Sequence, residues 1–287
     1  MDTLKNKIDF AVIVIVNNAN PNGDPLNGNR PRVNYDGVGE LSDVCIKRKI
    51  RNRLMQEGHA IFVQSDDNKV DGYPSLRERA AGVLGRDIFK DAKKLFDRAC
   101  KEWIDVRAFG QVFAFEGDKE KKGEGVSVGV RGPVSIHPAF SVAPVADRVT
   151  SIQITKSVSG EGEGKRKASD TMGMKHRVDH GVYVFCGSMN PQLASKTGFS
   201  VQDAEAIKGT LRTLFRNDAS SARPEGSMEV YRVYWWNHNS NNGQYSSAKV
   251  HRLLEVKPNK PEPKKISDYS IDLSELPSLA CEVLEGE

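Results

Sequence analysis

Five of the seven residues from Lys47 to Arg53 are cationic, while Ile46, Ile50 and Leu54 recur at every fourth position beside them. On a helix this spacing gives one apolar stripe for burial with cations along its flanks. Lys47 and Arg51 lie one turn apart next to the stripe, so the pair can bridge successive phosphates, whereas Arg48, Lys49 and Arg53 spread elsewhere. A solvated basic face with snorkelling stems uses the same residue types. Arg30 and Arg32, in the loop that leads into this helix, tilt the balance toward phosphate, because basic loops beside a helix N-terminus form anion cradles.

A second basic run begins with Lys165, Arg166 and Lys167. It continues through Met172 and Met174 on either side of Gly173 to Lys175, His176 and Arg177. Cations of this kind can follow a nucleic-acid backbone while an apolar tip wedges between bases. A disordered loop has the same composition. His176 and His180, with Asp179 between them, have a spacing that on a helix serves metal binding or acid–base chemistry. On a strand, the two imidazoles do not converge on one ion. Asp24 and Asp36 are two lone carboxylates for a Mg²⁺ ion. No phosphate-binding Walker loop, nucleophile elbow or HExxH motif is present. No cofactor is expected.

These residues need elements to position them. IDFAVIVIV, Ile8 to Val16, reads as a buried strand, followed by a Pro-, Gly- and Asn-rich loop to Arg32. Ser42 is placed to cap the basic helix, with Asp43 in its first turn. HAIFVQ, His59 to Gln64, reads as a second strand, and strand, loop, helix, strand opens a ferredoxin-like unit. Residues 65–103 read as a helical, charged insertion. DVRAFGQVFAF, from Asp105, returns to strand character, and a polar tip, EGDKEKKGEG, leads to Val- and Pro-rich strands. Between SIQITKSV and GVYVFCG lie about twenty residues, far more than a compact hairpin uses, which predicts a protruding arm. Ser200 caps a helix carrying Ala204, Ile207, Leu211, Leu214 and Phe215. MEVYRVYWWNHNS is a closing strand, and KPNKPEPKK reads as a linker to an acidic tail. The fold class is α+β, an antiparallel sheet with large insertions.

The 287 residues carry a net charge of +4, but the last twenty hold six acids and no base, so the preceding body is about +10. That balance suits a polyanion. Four separated cysteines without a CxxC pair argue against a disulfide framework or structural zinc and for a reducing cytoplasm. The N-terminal apolar run is too short to span a bilayer.

Taken in order, NPNGDP and NRPR, LSDVCIKRKIRNRL, DVRAFG, RGPVSIHPAFSVAP, HRVDHGVYVFCGSMNP and DASSARPEGSMEVYRVYWW resemble the Cas-seven family, the backbone of CRISPR Cascade surveillance complexes. The resemblance is strongest to its type I-C branch and runs from Ile8 to about Val256. It implies an RRM-like (ferredoxin-like) palm within residues 1–256, helical fingers at about 65–104 and a thumb at about 156–180. Residues 257–287 would be linker and tail. It further implies a non-catalytic subunit that polymerises with copies of itself along a CRISPR guide RNA. Target DNA would be met through guide pairing, beside a large subunit and a subunit capping the guide end. Lys47 and Arg51 match family positions on guide phosphates, and Ser42 matches a polar backbone contact. The rival reading is an RNA-processing or target-cleaving ribonuclease using His176 and His180, or Asp24 and Asp36 with Mg²⁺.

Overall fold

The β-branched run near the N-terminus becomes the central strand of the protein, buried on both faces along most of its length. A computed structural model describes residues 2–115, 126–156 and 171–287. The chain runs through β1 (Ile8–Ala19), β2 (Gly23–Asp24), β3 (Arg30–Pro31), β4 (Val38–Leu41), α1 (Asp43–Gln56), α2 (Leu76–Leu84), α3 (Ala92–Glu102), α4 (Ile104–Phe109), β5 (Gln111–Phe115) and β6 (Val126–Val130). It continues through β7 (Val134–Ile136), β8 (Ala139–Pro144), β9 (Val149–Lys156), β10 (Thr171–Met189), α5 (Pro191–Thr197), α6 (Val201–Arg212), β11 (Met228–Asn237), α7 (Ser247–His251), β12 (Leu254–Pro258), β13 (Tyr269–Leu273) and β14 (Cys281–Glu285).

The main sheet is antiparallel, with strand order β14-β11-β1-β10-β8-β4, and β7 and β9 also pair with β10. Alternation along β1 divides the interior. Phe10, Val12, Val14 and Val16 join Ile46, Ile50 and Leu54 of α1 and Ala204, Ile207 and Leu211 of α6 in one core. Ala11, Ile13 and Ile15 face a second core with Val250, Leu253, Leu254 and Tyr269. The apolar stripe of α1 is therefore what fixes that helix to the sheet, with each full burial of such a side chain stabilising by about 1.5–3 kcal/mol.

β10 is longer than the sheet. Met189 to Val178 pair with β1, while Val178 to Thr171 pair with Val149 to Lys156 of β9. The predicted arm is thus rooted in a two-stranded ribbon that continues β10 beyond its pairing with β1. The centre of the arm, with Lys165, Arg166 and Lys167, and the polar tip at 116–125 lie outside the described residues.

A third core, with Phe62, Leu84, Leu95, Trp103, Phe113, Val128 and Val130, belongs to the helical insertion. The insertion therefore extends beyond residues 65–104, taking in the β5–β6 hairpin. Two predicted strands are corrected here. DVRAFG is helical, and Gly110 (φ 83°) ends α4 where a Cβ would meet Val130 O at 2.4 Å. His59–Gln64 makes no strand. Instead the N–H groups of Phe62 and Val63 donate to Asp105 (2.8 and 3.0 Å), and their carbonyls accept from Arg79 and Arg48. Side chains thus replace the ladder that would satisfy this backbone.

The acidic tail is also corrected. Tyr269–Leu273 pairs with β12, and Cys281–Glu285 pairs with β11 as an edge strand. Its acids meet cations of the body: Glu282 with Lys208 (3.1 Å), Glu285 with Arg232 (2.8 Å), and Glu287 with Arg212 (3.1 Å) and Arg216. The excess positive charge counted on the body is accordingly offset on its α6 and β11 side.

Candidate nucleic-acid interface

Ser42 caps α1 as its position predicts. Its hydroxyl accepts from Cys45 N at 3.2 Å, and its own N–H donates to Asn22 Oδ1 at 2.9 Å. The Asn- and Pro-rich loop is thereby tied to the helix N-terminus, and β3, which carries Arg30, packs against β10.

The five cations of α1 do not form one free face. Lys47 pairs with Asp43 at 2.9 Å with its side chain 24% exposed. A surface i,i+4 pair of this kind is weak, so Lys47 can still turn to a phosphate. Arg51 is different. Its Nε lies 3.0 Å from Asp105, whose side chain is wholly buried, and its guanidinium stacks over Phe109 at 5.1 Å. Asp105 in turn receives the N–H groups of Phe62 and Val63. Arg51 thus joins α1 to the insertion, and losing it to a phosphate would strand a buried carboxylate. The Arg51 expected beside Lys47 on a phosphate is, in this structure, engaged by Asp105. Arg53 bonds Thr213 Oγ1 at 2.8 Å and Glu57 at 3.2 Å.

The other flank of α1 opens on a pocket of about 300 Å³ that includes Arg48, Lys49 and Asn52 and the 217–223 loop, with Arg223. Arg48 donates to Val63 O at 2.9 Å. Burial, and then the charge of Arg51, push its guanidinium below the ordinary arginine value. Lys49 is buried against Asp218 and lies 5.3 Å over the Phe215 ring. Burial lowers its ammonium, and Asp218 opposes that shift. Arg223 reaches the same Asp218 at 3.3 Å, so one carboxylate answers two cations. Burial raises the Cys45 thiol, opposed by the charges of Lys49, Arg223 and Arg32, which places Arg32 in the same field. Arg32 is 38% exposed, sits 3.7 Å from Asp24, and has no hydrogen-bond partner at Nε among the described residues.

From this pocket the cations lead to the ribbon. Arg30 donates to Ser151 Oγ at 3.4 Å, and Ser151 lies 2.7 Å from His176 Nδ1. Burial, and then Arg30, hold the His176 imidazole below its usual value. Farther out, Met174 and Met172 are 54% and 61% exposed, with Lys175 between Met174 and His176. Exposed thioethers beside cations suit contact with bases. Arg30 therefore meets the ribbon, while Arg48, Lys49, Asn52 and Arg223 surround the pocket beside α1. Sequence reading missed Lys49, Asn52 and Arg223. The DASSARPEGS string was the only signal for Arg223, and nothing local marked Asn52.

His176, His180 and Asp24 each have a hydrogen-bond partner of their own. His176 bonds Ser151, whereas His180 bonds Asn17 Oδ1 at 2.7 Å. Asp24 caps a short turn by accepting from Leu26 N at 3.1 Å. Among the described residues no group of three or more His, Cys, Asp or Glu is arranged for a metal ion. No helix among them is long and apolar enough to cross a membrane.

Comparison with known proteins adds a family. The CRISPR-associated protein Cas7 of Haloferax volcanii is 26% identical, covering 96% of this chain and 82% of that protein. Among solved structures, a chain of a CRISPR RNA-guided surveillance complex, pre-nicking, is 15% identical with a TM-score of 0.45, covering 80% of this chain and 78% of that one. A chain of another CRISPR RNA-guided surveillance complex is 16% identical with a TM-score of 0.41, covering 80% and 68%. The sequence matches the family of CRISPR-associated protein Cas7 over residues 6–274, and the chain belongs to that family.

Proposed function

We propose that this Cas7-family chain is the non-catalytic backbone subunit of a type I-C Cascade, polymerising along a guide RNA and presenting it for pairing with target DNA. The observation that carries this reading is the set of cations around the α1 pocket, Arg48 and Arg223 among them, together with Arg30 against the ribbon that bears Met172 and Met174. Phosphate contacts of this kind hold a strand without reading its bases, as a guide with any spacer requires. The strand order β11-β1-β10-β8, with α1 and α6 on one face, supports an RRM-like palm. The ribbon is its thumb, and the insertion its fingers. Self-association, the large and end-capping subunits and a cytoplasmic location belong to the same reading.

The experiment is recovery of RNA from the protein purified with and without co-expressed partners. A guide of defined length, retained and protected at regular intervals, is expected. Cleavage of labelled guide or target in Mg²⁺ or Mn²⁺, lost on Asp24→Ala or His176→Ala, would favour the ribonuclease instead.

A further inference from the structure

The pocket on the outer flank of α1 offers more than charge. Its wall joins Asn52 of α1 to Ser65 at the start of the insertion, with Arg48, Lys49 and Arg223 around them. Asn52 Oδ1 and Ser65 Oγ are both closed to solvent and have no hydrogen-bond partner among the described residues. Folded proteins leave few such atoms unpaired, and each can gain a bond from a bound group that the free protein forgoes.

The chemistry of the pair narrows the ligand. An amide oxygen only accepts, whereas a serine hydroxyl both donates and accepts. One ligand hydroxyl can donate to Asn52 and accept from Ser65. Next to it, Arg48, Lys49 and Arg223 outnumber Asp67 and Asp218 on the same wall, which favours an anion. A hydroxyl beside a phosphodiester is the chemistry of a ribonucleotide, and a deoxyribonucleotide lacks the hydroxyl.

We propose that this pocket seats the ribose and phosphate of one nucleotide, and that Asn52 and Ser65 select RNA over DNA through the 2′-hydroxyl. The inference rests on the guide-RNA reading above. Its test is fluorescence anisotropy with the full chain, freed of nucleic acid, against unstructured single strands of one sequence made as RNA, DNA and 2′-fluoro RNA. Two hydrogen bonds predict that RNA binds about tenfold more tightly than DNA. The 2′-fluoro strand, which keeps an RNA-like sugar shape but cannot donate, should bind like DNA. Asn52→Ala with Ser65→Ala should bring RNA down to the DNA affinity and leave DNA unchanged. Arg223→Gln should weaken both strands and preserve their ratio.

Equal binding of RNA and DNA by the wild type, or a 2′-fluoro strand that binds like RNA, overturns the selection while leaving the guide-RNA reading intact. A folded double variant that weakens both strands equally does the same. Absence of binding to any strand, alone and with co-expressed partners, overturns both. If the double variant fails to fold by circular dichroism, the three strands on the wild type decide.

Discussion

The two flanks of α1 carry similar charge and do different work. On one flank Arg51 is committed to Asp105, a carboxylate with no solvent exposure, and the pair fastens the insertion to the sheet. On the other, Arg48, Lys49 and Arg223 surround a pocket with Asp218 shared between two of them. Counting cations along a helix therefore does not locate a phosphate site. What matters is which cations have a buried acid of their own, because those cannot leave it without a large penalty.

The comparison breaks most visibly at Asp105. Asp105→Ala should cost about 3–5 kcal/mol in urea unfolding, since it leaves Arg51 without its partner and two backbone N–H groups without an acceptor. A loss below about 1 kcal/mol would return Arg51 to the nucleic-acid surface.

A smaller effect is expected on the opposite face of the sheet, where Asp9 is committed in the same way. Burial alone would raise its carboxyl. The neighbouring His251 (3.5 Å) and Ser247, the hydrogen bond with His238 (2.9 Å) and the charge of Lys7 outweigh that and hold it at about 2, against an ordinary 3.8. Because the folded value is depressed, the stabilisation is complete above about pH 4 and is lost as pH falls toward 2. Its size is about 2 kcal/mol, and Asp9→Asn should flatten that acid limb of the unfolding profile. A limb of unchanged steepness in the variant would assign it to other carboxylates.

The smallest change belongs to the exposed pair of Glu285 and Arg232 on the edge strand. Glu285→Gln should shift stability by less than about 1 kcal/mol. A larger loss would mean that edge strand depends on its charges more than on its ladder.

Much of this architecture was legible because it is local. The spacing of Ile46, Ile50 and Leu54, the cap at Ser42 and the Ser200 helix start all appear as read, the last with a capping box to Asp203. The length between two strands marked a protruding arm, but not that Thr171 to His180 extend β10, most of them paired with β9. What escaped depends on partners far along the chain. Nothing near Arg51 announces an acid 54 positions later, and Phe62 and Val63 have strand-like side chains but give their backbone groups to Asp105, Arg79 and Arg48. The edge strand from Cys281 was masked by its acids, which read as a solvated tail until Lys208, Arg212, Arg216 and Arg232 are seen opposite them.

The salt dependence of binding to single-stranded RNA tests the division of labour along α1 most directly. Replacing Arg48 and Arg223 by Gln should make the slope of log affinity against log salt shallower by roughly 1.4, about 0.7 for each phosphate no longer neutralised. The weakening should be similar for RNAs of different sequence. Arg51→Gln should lower unfolding stability and leave the slope unchanged. A shallower slope for Arg51→Gln, with none for the Arg48 and Arg223 variant, would place the guide on the flank that the structure assigns to Asp105.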